Sequence, residues 1–266
     1  MKLLSIETAT EACSAALWLD GALTTRFEMA PREHTRLILP MMDALLAEAS
    51  VRLADLDALA FGRGPGAFTG VRIAAAVIQG AAFGADLPVV PVSTLAALAQ
   101  QGLDAGATRV LAALDARMGE VYWAAFETDA EGLAVSVGPE QVLAPDAVPV
   151  PEGQGWRGVG SGWGAYEQAL RARLGACVGD IDPAPYPAAA EVARLAVRDF
   201  AAGLAVPAEQ ALPGLPAGQG SREAETAVIE CAHVCCAESA ETQRTPRSLA
   251  RNTPISQASP GCPCWP

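Results

Sequence analysis

A glycine-rich segment, residues 62–72 with the sequence GRGPGAFTGVR, is the first candidate for chemistry in this chain. It follows an apolar run at residues 59–61 and opens a helix of small residues at residues 73–83. Glycines between a strand and a helix expose backbone N–H groups that suit phosphates, or they let two backbone segments pack closely. The segment lacks the lysine of a Walker A loop and does not match G-x-G-x-x-G. Both interpretations therefore stay open.

His34 is the one histidine outside the C-terminal region, and it invites interpretation as a metal ligand. The residues four positions away are Ala30 and Ile38, so a second ligand is missing from the same helical face. A lone histidine of this kind more often caps a helix or contacts a neighbour. We therefore predict no metal site at His34.

Three charged residues, Asp115, Arg117 and Glu120, flank a predicted turn at Met118-Gly119. They have the chemistry of general acids and bases, but a charged hairpin loop also explains them and is the favoured interpretation. A peptidase is a weak third alternative for the whole chain. The sequence contains no G-x-S-x-G nucleophile elbow and no Cys–His pairing at helpful positions. We expect no catalytic residue.

Composition excludes some classes of function. The chain has 266 residues, 51% of them hydrophobic, and a net charge of −12, which repels a phosphate backbone at long range. Glu7 interrupts the first apolar stretch, which argues against a signal peptide, and we expect no membrane span. Cys13 and Cys177 are the two cysteines of the first 213 residues, as in a reduced intracellular protein. We expect a cytoplasmic protein.

Hydrophobic patterning predicts a mixed α/β chain. Three strands are expected at residues 3–6, 12–19 and 22–29, with Asp20-Gly21 as the hairpin turn. A helix follows at residues 34–49, and Pro40 should kink it or tighten its first turn. The further expected elements are a strand at 56–61, a helix at 70–84, a strand at 87–92, a helix at 95–101 capped by Ser93 or Thr94, a link at 102–108, a hairpin of 109–115 with 120–126, and helices at 165–174 and 188–202.

Four segments together resemble one known family, the TsaB (YeaZ) family. They are residues 3–14 (LLSIETATEACS), 31–35 (PREHT), 62–72 and 114–123 (LDARMGEVYW), and the resemblance covers about residues 1–213. It implies an actin-like ATPase (ribonuclease H-like) fold of two tandem α/β units, at residues 1–105 and 106–213, of which the second is reduced.

The resemblance also implies a function and partners. The family supplies the non-catalytic subunit of the bacterial machinery that makes threonylcarbamoyladenosine in tRNA. The implied partners are a TsaD-type catalytic subunit and a TsaE-type ATPase, with tRNA bound only through the complex. No cofactor is expected on this subunit, whereas ATP and a metal ion are expected in the partner subunits. Without its partner the chain is expected to form a homodimer through the same apolar surface.

Two sets of site residues follow from the resemblance. Actin-like folds place a carboxylate and a hydroxyl turn beside the nucleotide phosphates, and the matching residues are Glu7, Thr8, Gly64, Gly66 and Gly70. The alternatives there are a hydrogen-bonded hairpin turn or, as the second candidate function, an active ATP-binding enzyme. Two helices are expected to pair with equivalent helices of the partner, and the predicted contact residues are His34, Leu37, Met41, Leu45, Val71, Ala75, Val77 and Ile78.

The composition changes after Pro213, and residues 214–266 are expected to be a disordered tail. Residues 214–221 (GLPAGQGS) can be encoded by codons that, shifted by one base, read VYLRDKVA, an octapeptide that resembles the usual ending of the family. We therefore hypothesise an out-of-frame tail, which resequencing of codons 210–222 would decide. The cysteines at 231, 235, 236, 262 and 264 match no standard zinc finger, so no metal is predicted there either.

Overall fold

The computed structural model describes residues 1–214, and their first half forms a five-stranded sheet. The strands are β1 (Lys2–Glu7), β2 (Ala12–Leu19), β3 (Ala22–Met29), β4 (Ala58–Gly64) and β5 (Val89–Ser93). They lie in the order β3-β2-β1-β4-β5. β1, β2 and β3 are antiparallel neighbours, whereas β1, β4 and β5 run parallel.

A second sheet repeats this arrangement. Its strands are β6 (Arg109–Arg117), β7 (Glu120–Thr128), β8 (Ala134–Ser136), β9 (Gln141–Leu143), β10 (Trp156–Val159) and β11 (Val178–Asp182). They lie in the order β8-β7-β6-β10-β11, and β9 also pairs with β7. The antiparallel and parallel pairs fall in the same places as in the first sheet. The repeated order confirms the predicted pair of tandem α/β units, and the three-residue β8 and β9 make the second unit the reduced one. The domain boundary at residue 105 stays a prediction.

Helices cover the faces of both sheets. They are α1 (His34–Ala49), α2 (Phe68–Ala85), α3 (Thr94–Asp104), α4 (Ser161–Leu174) and α5 (Ala189–Ala201). α1 and α2 share a core with one face of the first sheet. α3 and α5 lie in the core between the two sheets, and α4 covers the outer face of the second sheet. The glycine-rich segment, residues 62–72, lies where β4 passes into α2.

Local sequence features account for several element ends. The hairpin of β2 and β3 turns at Asp20-Gly21 as predicted, and α1 has the predicted bounds and runs through Pro40 without a break. Ser93 caps α3, because its Oγ accepts a hydrogen bond from the Ala96 N–H at 3.1 Å. The helix then continues to Asp104, into the segment predicted as a link, because its buried face packs between the sheets.

Among the helices of residues 1–214, α2 is the one whose length and apolar composition alone would suit a membrane span. It has 18 residues with a mean hydropathy of 1.3. Six of its residues are buried against the first sheet: Gly70, Val71, Ala74, Ala75, Ile78 and Ala82. Core helices of water-soluble proteins also meet this criterion of length and composition.

The chain after α5 returns to the first sheet. Val206 pairs with Val89 of β5, and the Gly214 N–H donates to the Arg63 carbonyl oxygen at 2.7 Å. The expected tail beyond this point, the frame-shift hypothesis and the cysteines from Cys231 onward lie outside the described residues.

Candidate functional site

The glycine-rich segment packs directly on the turn between β1 and β2. A Cβ atom added to Gly70 would lie 2.1 Å from the Thr8 carbonyl oxygen, and one added to Gly66 would lie 2.4 Å from the Ala9 carbonyl oxygen. The Ala67 N–H donates to that same Ala9 oxygen at 2.7 Å, and the Thr8 Oγ1 donates to the Gly70 carbonyl at 2.8 Å. Two of the predicted glycines therefore serve close backbone packing.

Gly64 has a different role in the same segment. Its φ is +102°, in the left-handed region that favours glycine, and its N–H donates to the Thr94 Oγ1 at 3.2 Å. That bond connects the end of β4 to the first residue of α3. The glycine therefore lets the strand turn while its N–H stays satisfied.

Glu7 is fully buried beneath this loop. Its Oε1 accepts from the Ala9 N–H at 2.7 Å, and its Oε2 accepts from the Thr94 hydroxyl at 3.0 Å. A Cβ atom on Gly62 would lie 1.8 Å from Oε2, so only glycine leaves room for the carboxyl group. Burial raises the pKa of Glu7 from 4.5 to about 7, although the Ala9 and Thr94 hydrogen bonds oppose the shift.

The five residues predicted for a nucleotide thus contact one another and the chain around them. Glu7 and Thr8 are 0% exposed, so neither presents its side chain to an open cleft in this conformation. The arrangement matches the hydrogen-bonded turn that the sequence left open as an alternative. Nucleotide binding at these residues stays a prediction.

A cleft of about 440 Å³ lies beside this turn, bordered by the β6–β7 hairpin. Arg117 lines this cleft and forms ion pairs with Glu11 at 3.2 Å and with Asp115 at 3.0 Å. The Tyr166 hydroxyl donates to the Asp115 carboxylate at 3.3 Å. The turn residue Glu120 is exposed. The predicted charged hairpin is therefore a paired cluster that connects the two sheets.

His34 begins α1 and is 7% exposed. Its Nε2 lies 3.2 Å from the Ala12 carbonyl oxygen, which makes the ring a donor that ties α1 to β2. Within residues 1–214 no group of three His, Cys, Asp or Glu side chains could hold a metal ion. The contact to Ala12 is the neighbour contact expected for a lone histidine.

The predicted partner-binding residues lie mostly inside the chain. His34, Met41, Leu45, Val71, Ala75 and Ile78 are buried, and Leu37 and Val77 are partly buried. Six of the eight belong to, or pack against, the core that α1 and α2 share with the first sheet: Leu37, Met41, Leu45, Ala75, Val77 and Ile78. A partner that binds α1 and α2 in this conformation would therefore mainly contact other, exposed residues of these helices.

The solvent-facing side of these helices combines large apolar residues with small ones. Phe83 is 84% exposed and Phe68 is 70% exposed on α2, and Leu39 of α1 is 51% exposed. Between the two phenylalanines, Ala76 and Gly80 are exposed small residues spaced by four. We call the exposed side of α1 and α2 the helix face. The four-residue spacing of small residues was the sign of this face in the sequence, but apolar residues lie on both the buried and the exposed sides of α2 and obscured which side is buried.

Comparison with known proteins decides the family. A family model described as "TsaD: tRNA N6-adenosine threonylcarbamoyltransferase" matches residues 27–155. The Escherichia coli (strain K12) protein named "tRNA threonylcarbamoyladenosine biosynthesis protein TsaB" is 47% identical over 222 residues, which cover 80% of this chain and 93% of that protein. The chain belongs to the TsaB (YeaZ) family.

Further TsaB relatives agree in sequence and in fold. A Haemophilus influenzae protein with the same TsaB name is 46% identical over 185 residues, covering 65% of this chain and 78% of that protein. The solved structure titled "YeaZ from Pseudomonas aeruginosa" has a TM-score of 0.75 at 46% identity and covers 80% of this chain and 99% of that one. These similarities confirm the predicted family and its α/β, actin-like fold.

Proposed function

We propose that this TsaB-family chain is a non-catalytic subunit required for threonylcarbamoyl transfer to the adenosine next to the anticodon of tRNA. It acts by binding a TsaD-type catalytic subunit, together with a TsaE-type ATPase, and it meets tRNA only through that complex. The observation that carries the proposal is the 47% identity to a TsaB protein across 93% of its length. Its place of action is the cytoplasm, where such a complex would meet tRNA.

The state of Glu7 supports a non-catalytic role. A carboxylate that helps to position Mg²⁺ and phosphate must face the ligand. Glu7 is fully buried, and its oxygens accept from the Ala9 N–H and the Thr94 hydroxyl. We therefore propose that ATP and a metal ion belong to the partner subunits and that this subunit holds neither.

The helix face supports the mode of partner binding. Phe68 and Phe83 expose large apolar side chains, and exposed apolar clusters mark interaction surfaces. The small residues Ala76 and Gly80 between them allow a partner helix to approach closely, since a Cβ atom added at Gly80 would meet nothing within 4 Å. We propose that the TsaD-type subunit binds the helix face. The buried residues of α1 and α2 that the sequence predicted as contacts would then pack beneath this face.

Binding measurements with purified TsaD-type subunit test this role. We expect Phe83→Asp to weaken binding at least about tenfold, because a carboxylate would be desolvated without a counter-ion. The matched control is Phe27→Asp, which adds the same charge at a 51% exposed phenylalanine on β3. Equal binding by both variants and the parent chain would reject the helix face.

The alternative function, an active actin-like ATP-binding enzyme, has a separate test. Calorimetry with Mg·ATP on the isolated chain should show no binding heat, and purified chain should not hydrolyse ATP. An ATPase activity that follows the protein through purification and disappears in Glu7→Ala would favour the alternative over the non-catalytic subunit.

A further inference from the structure

Within the described residues, the second unit has no counterpart of α1. In the first unit, α1 lies between β3 and β4 in the chain and packs on β2. The matching stretch of the second unit, residues 137–155 between β8 and β10, contains β9 and a short 3-10 helix at Pro145–Ala147 instead. α4 matches α2 in chain order and packs on β6, β10 and β11. The outer face of β7 is therefore left to irregular chain rather than to a helix.

A pocket of about 390 Å³ lies at the place of the missing helix. Its floor is formed by side chains of β6 and β7 that share one face of the sheet: Leu111, Trp123 and Ala125. Pro149 and Pro151 line the pocket from the chain that precedes β10. The Trp156 indole N–H donates to the Glu152 carbonyl at 3.0 Å, which ties that chain to the sheet. Ligand pockets have volumes of about 300–1,000 Å³ and are mostly apolar and preformed, so this pocket has the size and lining for a small molecule.

An ion pair lines one end of this pocket. Arg109 and Glu127 are direct cross-strand partners, and Nε of Arg109 lies 3.1 Å from Oε1 of Glu127. The guanidinium also lies 5.6 Å from the centre of the Trp156 ring, and this cation–π contact restricts its orientation. A guanidinium has five N–H donors and a carboxylate has about four acceptor positions, so the pair can hydrogen-bond to a ligand as well. The pocket therefore presents a donor and an acceptor side by side at one end of an apolar floor.

We propose that this pocket binds a small aromatic molecule that carries a primary carboxamide. The flat ring lies on the apolar floor, the carboxamide oxygen accepts from Arg109, and the carboxamide NH₂ donates to Glu127. Both polar groups of the ligand are then hydrogen-bonded while the ion pair stays in place. All residues that line the pocket belong to the second unit, so the site is separate from the helix face and does not rest on the proposed function.

The same ion pair discriminates against other aromatic ligands. An aromatic carboxylate has no N–H group for Glu127 and brings a second negative charge close to it. An unsubstituted ring covers the floor but desolvates the ion pair without offering a new hydrogen bond. The small side chain of Ala125 is a further requirement, because a larger residue in the floor would occupy the space of the ring. The ligand class is therefore defined by the apolar floor and by the adjacent donor and acceptor together.

A titration of the isotope-labelled full chain with benzamide, followed by NMR, tests the proposal. The reporter is the indole N–H signal of Trp156, and the indole N–H of Trp18, on β2 of the first sheet, is the internal control. We expect a saturable change of the Trp156 signal with a dissociation constant on the order of 1 mM, and no change of the Trp18 signal. Benzoate should bind at least about tenfold more weakly, because it loses the hydrogen bond to Glu127. This comparison of two ligands uses the parent chain and does not depend on the folding of a variant.

Variants of the pocket provide a second test. Ala125→Phe and Arg109→Leu should each weaken benzamide binding at least about tenfold, whereas Arg52→Gln, which breaks an exposed ion pair of the first unit, should not change it. Circular dichroism checks that each variant is folded. Four results would overturn the proposal: no saturable change of the Trp156 signal up to about 10 mM benzamide, a parallel change of the Trp18 signal, benzoate binding as tight as that of benzamide, or parent-like binding by folded Ala125→Phe.

Discussion

Replacing Gly70 by alanine should destabilise the protein although the residue lies within a helix. Gly70 is the third residue of α2, where alanine is intrinsically favoured over glycine by up to about 1 kcal/mol. Its added Cβ, however, would lie 2.1 Å from the Thr8 carbonyl oxygen and 3.3 Å from the Ala9 Cα. Because these are backbone atoms, the β1–β2 turn and the helix must move apart.

The size of the effect follows from that movement. Reaching an ordinary contact of 3.4 Å requires a shift of about 1.3 Å, the difference between 3.4 and 2.1 Å. Overpacking of this kind costs about 1–3 kcal/mol. The shift also weakens the 2.8 Å bond from the Thr8 hydroxyl to the Gly70 carbonyl, worth about 1 kcal/mol. After the helix-propensity gain, a net loss of about 2 kcal/mol remains, which lowers Tm by about 4–8 °C in a chain of this size.

Gly80→Ala on the same helix is the matched control. Nothing lies within 4 Å of its added Cβ, so only the propensity gain of about 0.5–1 kcal/mol applies and Tm should rise slightly. Thermal unfolding followed by circular dichroism compares the two variants. If Gly70→Ala raises Tm as much as Gly80→Ala, the close packing of the glycine-rich segment on the β1–β2 turn is refuted.

Three further variants test other parts of the structure by thermal or urea unfolding. The pKa of Glu7 rises from 4.5 to about 7 on folding, so the folded state binds more protons between these values and stability should fall as pH rises through that range. Glu7→Gln should remove roughly 3 kcal/mol of this pH-dependent loss of stability. The remaining loss is due to Glu191, whose pKa is also raised to about 7. An unchanged dependence of stability on pH would contradict the burial of Glu7. Gln100→Leu should cost about 2–3 kcal/mol, because the Ala134 N–H loses its acceptor at 2.8 Å in the core, and a neutral result would show that the contact is unimportant. Trp163→Phe should cost about 1–3 kcal/mol by leaving the Leu111 carbonyl without its 2.9 Å donor, and an unchanged free energy of unfolding would contradict this contribution.

Features set by neighbouring residues were predictable from sequence. The Asp20-Gly21 turn, the bounds of α1 and the Ser93 cap each depend on residues within one turn or hairpin, and the structure has all three. The duplicated α/β order was visible in the patterning up to the first hairpin of the second unit, and the family resemblance supplied the name of the fold. Strands β8 to β11 were missed because they have three to five residues and mixed polarity, too short for a clear alternation.

The roles of the site residues depended on distant contacts and were not predictable. The glycine segment suited phosphate binding and close packing equally, and only the placement of Thr8 against Gly70, 62 positions away, favours packing. Likewise, apolar residues lie on both the buried and the exposed sides of α2, so helical spacing could not distinguish buried Ile78 from exposed Phe83. The sequence therefore located the two helices, whereas identifying their exposed side required the three-dimensional structure.

Reconstituted tRNA modification tests the central claim most directly. Threonylcarbamoyladenosine would be quantified in tRNA after incubation with the threonylcarbamoyl donor, ATP and the cognate TsaD-type and TsaE-type subunits, with and without this chain. We predict that product forms only when the chain is added, that Phe83→Asp reduces it at least about tenfold at limiting subunit concentration, and that Phe27→Asp does not. Full product formation without the chain, or equal product with Phe83→Asp, would contradict its proposed role as a required subunit that acts through the helix face.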